Sequence, residues 1–135
     1  MMGPVRAFSL WGPVALWCAL IFSFSHIPNL ESGLGFDYPL RKAAHLTEYA
    51  ILWLLTRRAA DGTWPGVSRA RTWPAALAFC LLYAASDEWH QTFIPSRAGR
   101  WSDVVIDSIG ASMAGAAAWL FRAKKQEPGR VPGKN

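Results

Sequence analysis

The sequence is poor in cysteine and in charge. It contains 2 cysteines, and 17% of its residues are charged, whereas 52% are hydrophobic. Cys18 and Cys80 each lie inside an apolar run, and their spacing fits neither a zinc site nor a disulfide framework. We therefore expect two buried free thiols. No motif in the sequence requires a metal or another cofactor.

Charge is nearly absent from four long stretches, 7–25, 43–56, 72–86 and 108–121. The first approaches the ~20 residues that a transmembrane helix requires, and the others reach that length only if polar residues at one end enter the membrane. The first and third stretches lack the polar face that a soluble amphipathic helix presents. We therefore predict an all-α fold, a polytopic bundle of four transmembrane helices within residues 1–121. A basic, disordered tail is predicted for residues 122–135.

Two other interpretations of the apolar stretches stay open. Core helices of a soluble domain have similar lengths. The first stretch also resembles a signal peptide, because Arg6 precedes it and the small residues Ser23 and Ser25 near its end fit a cleavage site.

The distribution of basic residues predicts the orientation in the membrane. With four spans, the two termini and the loop between the second and third helices share one side, and this side holds ten of the 14 lysines and arginines. The positive-inside rule therefore predicts that both termini are cytoplasmic. The excess positive charge favours membrane lipids as partners, and the scattered basic residues do not indicate binding to nucleic acid.

Ionisable residues gather at the predicted outer ends of the last three helices. Lys42, His45 and Tyr49 share a face of the second helix because three and four residues separate them. Asp103 and Asp107 share a face of the fourth helix, which continues into small residues that allow close packing. We expect both carboxylates to face the second helix, with Asp107 deepest. The predicted ligand-binding residues are Lys42, His45, Tyr49, Asp87, Glu88, Gln91, Arg97, Asp103 and Asp107.

Such a cluster indicates a function, because each ionisable group inside a membrane costs roughly 2.5–3.5 kcal/mol on insertion scales. The structural alternative is an ion-pair network that only holds short helices together. If the cluster is a binding site, Arg97 and Lys42 hold a phosphate or carboxylate of an envelope lipid, a role that suits the planar guanidinium.

Two further classes use the same residues. A membrane hydrolase or transferase would draw its acid and base from the catalytic candidates His45, Glu48, Asp87 and Glu88, although the sequence has no nucleophile motif. A variant of this class would hold Mg²⁺ or Mn²⁺ with His45 and one of Glu48, Asp87 or Asp103. A proton-coupled transporter would use the cluster as a relay.

Several of these residues also form a longer pattern that resembles the VanZ-like family. The pattern comprises the string at residues 23–28, then Lys42, His45 and Tyr49, then Asp87, Glu88, Gln91, Phe93, Pro95 and Arg97, and finally Asp103, Asp107 and Gly110. The resemblance extends over about residues 16–115 and covers neither the tail nor the second loop.

The resemblance implies a small multi-pass protein of the bacterial cytoplasmic membrane. The founding member of this family is associated with resistance to teicoplanin. We therefore expect an outward-facing polar pocket that engages a lipid-linked envelope or cell-wall precursor, with glycopeptide resistance as the phenotype at the level of the family.

Overall fold

The computed structural model describes residues 3–28 and 37–126. Its four helices are α1 (Pro4–His26), α2 (Asp37–Thr63), α3 (Arg69–Gln91) and α4 (Trp101–Gln126). The all-α prediction is therefore confirmed. Two helices, Pro4–His26 and Trp101–Lys124, are long and apolar enough to cross a membrane, while the four-span arrangement stays a prediction. Of the predicted tail, the part up to Gln126 continues α4, and residues 127–135 lie outside the described residues.

Each helix extends beyond the uncharged stretch that predicted it. Helix α1 begins with Pro4, whose fixed φ suits a first helical position. Helix α2 takes in Arg41 and Lys42 at its start and continues through Arg57 at its other end. The charged ends therefore prolong the helices without interrupting the backbone hydrogen bonds.

Helices α2 and α4 form the closest pair in the bundle. A Cβ atom placed on Gly110 would collide with the backbone carbonyl of Leu46, and one placed on Gly115 would lie 3.4 Å from the ring of Trp53. Ala111 is fully buried in the same seam. Small residues thus let the two backbones approach closely, as expected for helices that pack within a membrane.

The remaining core joins α1 and α3 to this pair. The Trp17 indole donates a hydrogen bond to the Glu48 carbonyl oxygen at 2.9 Å, and the Tyr83 hydroxyl donates to the Cys18 carbonyl oxygen at 2.6 Å. Both cysteines are free, with Cys80 buried and Cys18 half-buried. Two buried free thiols were expected from the sequence, and Cys18 differs from this expectation because it is only half-buried.

Hydrogen bonds between helix ends fix the direction of the helices. The start of α1 meets the end of α2, because the Trp11 indole donates to the Thr63 hydroxyl at 2.9 Å. The other end of the bundle, called the site end below, holds the last turns of α1 and α3 and the first turns of α2 and α4. Helices α2 and α4 therefore run parallel, and the predicted polar residues of three helices meet at this end.

Candidate functional site

A polar cavity of about 300 Å³ opens at the site end of the bundle. It is lined by Tyr38, Arg41, Lys42, His45, Gln91, Ser96, Arg97, Ala98, Arg100 and Asp103. Four of these side chains are cations and one is a carboxylate. A concave surface lined mainly by one sign of charge attracts ligands of the opposite sign, which here means anions.

Two polar pairs join α2 to α4. The ammonium group of Lys42 forms an ion pair with Asp103 Oδ1. One turn further along both helices, His45 Nδ1 lies at hydrogen-bond distance from Asp107 Oδ1, at 2.9 Å. Asp107 has no exposed surface and Asp103 is 7% exposed. Both carboxylates therefore face α2, and Asp107 is the more deeply buried, as their spacing in the sequence predicts.

The carboxylates of α3 belong to a second buried network. Asp87 Oδ2 accepts hydrogen bonds from the Ser25 hydroxyl at 2.7 Å and from the Gln91 amide at 3.1 Å. The same amide lies 3.4 Å from Glu88 Oε1, and Glu88 Oε2 accepts from the backbone N–H of Arg100 at 2.7 Å. The network therefore connects the end of α1, the end of α3 and the loop that leads into α4.

The loop between α3 and α4 has a tightly constrained backbone. Ser96 adopts a left-handed conformation with φ of 64°, a region that is unusual for a residue with a side chain. Gly99 packs so closely against the Glu88 carbonyl that a Cβ atom would collide with it. These two positions direct the chain between them toward the end of α1.

Arg97 makes hydrogen bonds to α1 that the sequence did not predict. Its Nη2 donates to the carbonyl oxygens of Phe24 and Ile27, each at 3.0 Å, and its Nε donates to Ile27 at 3.1 Å. The last carbonyls of a helix lack partners within that helix, so Arg97 caps α1. Partial burial and, to a smaller extent, nearby Arg41 lower the pKa of the Arg97 guanidinium, which still keeps its proton because arginine is always protonated in proteins.

His45, Glu88 and Asp107 come together where α2, α3 and α4 meet. One potential ligand atom from each of the three side chains lies within 4.8 Å of the others. All three residues are buried, with 8%, 4% and 0% of their surface exposed. The predicted metal variant joined His45 to Glu48, Asp87 or Asp103, so the group found in the described part of the chain differs from it in both carboxylates.

The predicted site residues separate into four groups. Five of them line the polar cavity, namely Lys42, His45, Gln91, Arg97 and Asp103. Tyr49, Asp87 and Asp107 are buried and do not line the polar cavity. Glu88 lines a neighbouring apolar cavity of about 350 Å³, together with Ala85, Trp89, Thr92, Gly99, Arg100 and Trp101. Glu48 is half-buried on α2.

Four residues that the sequence analysis did not single out also belong to this region. Tyr38, Arg41 and Arg100 line the polar cavity, and Ser25 binds Asp87. Arg41 directly precedes Lys42, so its position beside the cluster was a usable indication. Ser25 lies in the string that carries the family resemblance, but its partner is 62 residues away.

A sequence model of the VanZ/LLP1 family matches residues 8–122. The match covers most of the chain, including every predicted site residue. A search of curated proteins and a search of solved structures found no match. The chain therefore belongs to the VanZ/LLP1 family, which confirms the resemblance seen in its motifs.

Proposed function

We propose that this VanZ/LLP1 family member binds the anionic headgroup of an envelope lipid in its polar cavity. In this proposal it is a multi-pass protein of the bacterial cytoplasmic membrane, with four spans, both termini cytoplasmic and the site end facing outward. The observation that carries the proposal is a cavity lined by four cations, two of which have no partner among the described residues.

Helix length and surface support four spans rather than two. The helices have 23, 27, 23 and 26 residues, which is about 34–41 Å at 1.5 Å per residue, whereas a bilayer core is ~30 Å thick. Helices α2 and α3, which are less apolar, still expose Leu54 and Leu82, the latter to 73%. Exposed apolar surface on every helix is what contact with lipid requires.

The end opposite the cavity supports the cytoplasmic orientation. There a cavity of about 610 Å³ is lined by Arg69, Trp73, Trp119 and Arg122, among others. Tryptophan at a membrane interface combined with an excess of basic residues is typical of the cytoplasmic side.

The cations of the polar cavity divide into two pairs. Lys42 is bound to Asp103, and Arg97 is bound to the last carbonyls of α1. Within the described residues, the Arg41 and Arg100 guanidinium groups have no hydrogen-bond or ion-pair partner, and both residues are exposed. Arginine binds phosphate and carboxylate groups through two parallel hydrogen bonds. Arg41 and Arg100, rather than Arg97 and Lys42, are therefore the proposed anion-binding pair.

The neighbouring apolar cavity favours a lipid over a free anion. Arg100 lines both cavities, and Trp89 and Trp101 line the apolar one. A ligand with its headgroup against Arg100 therefore has an apolar surface beside it for the start of an acyl or prenyl chain. A lipid-linked cell-wall precursor has this chemistry, which connects the proposal to teicoplanin resistance at the level of the family.

Thermal stability of the purified full-length protein in detergent tests the proposal. The ligands are phosphatidic acid, inorganic phosphate and, as the uncharged comparison, phosphatidylcholine, all with EDTA present. A ligand that binds only the folded state raises the melting temperature. We expect phosphatidic acid to stabilise the wild type but not the Arg41→Gln/Arg100→Gln double variant, because each lost hydrogen bond to a charged group costs ~1.5–3 kcal/mol. The matched control is Arg71→Gln, at the opposite end of the bundle.

The possible results separate the parts of the proposal. Equal stabilisation by phosphatidic acid in the wild type and the double variant would overturn the assignment of the arginines. Equal stabilisation by inorganic phosphate and phosphatidic acid would show that the ligand is a free anion and not a lipid.

The link to resistance is tested separately, by expressing the wild type and the double variant in a susceptible bacterium. Teicoplanin resistance that requires both arginines is the expected result, and unchanged susceptibility with wild-type protein present in the membrane would refute the link.

A further inference from the structure

We infer that His45, Glu88 and Asp107 form a binding site for a divalent cation where α2, α3 and α4 meet. The inference goes beyond the proposed lipid ligand and does not depend on it. The two sites are neighbours, because His45 also lines the polar cavity.

The geometry brings one ligand from each of three helices to a single point. The potential ligand atoms of the three side chains lie within 4.8 Å of one another. Two atoms that bind the same small cation at ~2.0–2.2 Å are separated by up to about 4.4 Å. Small side-chain rotations are therefore sufficient to bring all three ligands into range. Three different helices supply them, so a bound cation would also hold the bundle together.

The local charge balance favours a cation. The two carboxylates, on Glu88 and Asp107, are at least 96% buried, with exposures of 4% and 0%. Two cations of the adjacent polar cavity are engaged elsewhere, Lys42 with Asp103 and Arg97 with backbone carbonyls. Buried carboxylates are costly unless they are paired or bind a metal. A divalent cation would neutralise both charges at once, which a single imidazolium cannot do.

Unpartnered oxygen atoms at the same place support the inference independently. Asp107 Oδ2 is buried and has no hydrogen-bond partner among the described residues, although Oδ1 of the same carboxylate contacts His45. The hydroxyl oxygen of Tyr49 is also buried and has no hydrogen-bond partner among the described residues. Tyr49 as a whole is 1% exposed. Tyr49 lies one turn after His45 on the same face of α2. Buried polar atoms nearly always have a partner, and a cation with its bound water would provide one.

The surrounding hydrogen bonds fix the ligands in a binding arrangement. His45 Nδ1 and Asp107 Oδ1 lie 2.9 Å apart, which is close to the separation of two neighbouring ligands that bind one cation at ~2.0–2.2 Å. A cation would therefore take the place of the proton between these two atoms. The Gln91 amide and the Arg100 backbone N–H hold Glu88 through its two oxygens. Hydrogen bonds from residues that do not themselves bind the metal orient the ligands, and loss of these hydrogen bonds typically weakens metal affinity by 10- to 100-fold.

One imidazole nitrogen with two carboxylates suits a cation that prefers oxygen ligands, such as Mn²⁺ or Mg²⁺. Mn²⁺ is the chosen test ion because its paramagnetic resonance signal distinguishes free from bound metal.

The purified full-length protein is first stripped of metal with EDTA and is then titrated with Mn²⁺. Mg²⁺ is added afterwards as a competitor for the same site. We expect one ion per chain. Glu88→Gln and Asp107→Asn should each weaken binding by at least about tenfold. Asp61→Asn, which removes a half-buried carboxylate from the opposite end of α2, is the matched control and should bind normally.

A second measurement does not depend on the folding of any site variant. The electron spin echo of bound Mn²⁺ should show a coupled nitrogen from His45. The chain has 3 histidines, so the coupling should persist in a His26→Gln/His90→Gln double variant. Absence of the coupling, less than one bound ion per chain at millimolar Mn²⁺, or unchanged binding in folded Glu88→Gln would each overturn the inference. Because the lipid assay contains EDTA, either proposal can fail while the other stands.

Discussion

Replacing Gly110 with alanine should weaken the bundle despite the better helix propensity of alanine. The new Cβ atom would lie 2.9 Å from both Cα and C of Leu46, whereas ordinary contacts are 3.4–4 Å. The obstacle is backbone, so α4 must move away from α2 by about 0.5–1 Å. The same movement would stretch the His45–Asp107 contact, now 2.9 Å, beyond the ~3.2 Å limit of a normal N–H···O hydrogen bond.

Three contributions set the effect of Gly110→Ala on the free energy of unfolding. Overpacking costs ~1–3 kcal/mol, and loss of a hydrogen bond to a charged group costs ~1.5–3 kcal/mol. The gain in helix propensity returns ~1 kcal/mol. We therefore expect Gly110→Ala to destabilise the protein by ~1.5–5 kcal/mol, measured as a lower melting temperature in detergent.

Gly12→Ala is the matched control for this prediction. Gly12 also lies inside a helix, and its nearest neighbours, ring atoms of Phe8, are at an ordinary 3.7 Å. The control variant should be as stable as the wild type or slightly more stable. If Gly110→Ala melts at or above the wild-type temperature while the control behaves as expected, the close approach of α2 and α4 is wrong.

Two further predictions concern helix pairing and topology. In a protein without Cys18 and Cys80, the pair His45→Cys and Asp107→Cys should be joined by a short thiol-specific crosslinker; ready labelling by a lipid-dissolved reagent without a crosslink would contradict the shared site. A direct disulfide is not expected, because the Cβ atoms of a His–Asp contact lie farther apart than the ~3.5–4.5 Å of a disulfide. A reporter fused after Asn135 should be active only as a cytoplasmic fusion, and activity outside the membrane would refute the four-span topology.

The sequence predicted the helices better than their ends. Counting charges finds the apolar centre of a helix, but the helix continues as long as its backbone hydrogen bonds continue. In α2 these bonds run on to Thr63, several residues beyond the end of the uncharged stretch at residue 56. Charged side chains at helix ends extend toward water or headgroups and do not stop the helix, so charge alone marks these boundaries poorly.

The polar site was predictable where it depends on spacing within one helix. The faces of α2 and α4 follow from residues three and four apart, and the structure pairs Lys42 with Asp103 and His45 with Asp107. The role of Arg97 was not predictable, because its partners are the backbone carbonyls of Phe24 and Ile27, which no residue type in the sequence indicates. Such a contact depends on where the end of α1 lies in space. Because Arg97 is engaged in this way, the cavity cations without a partner among the described residues are Arg41 and Arg100.

The polar pairs between α2 and α4 also explain how two apolar, parallel helices keep one register. A slip of one turn would preserve much of the apolar contact but would separate His45 from Asp107 and leave a buried carboxylate unpaired. Breaking a buried ion pair in this way costs ~3–5 kcal/mol. Alternative registers are thereby excluded.

This structural role accounts for only part of the cluster. The two pairs of α2 and α4 are sufficient to fix the register, and Arg97 is sufficient to hold α1. Neither role requires Glu88 to be buried near Asp107, or Arg41 and Arg100 to face one cavity without partners among the described residues. Burial of the Glu88 carboxylate and repulsion between the clustered arginines each carry a free-energy cost that these structural roles do not offset. Binding of ligands by these three residues would offset it, so they are the positions at which function and fold can be separated by substitution.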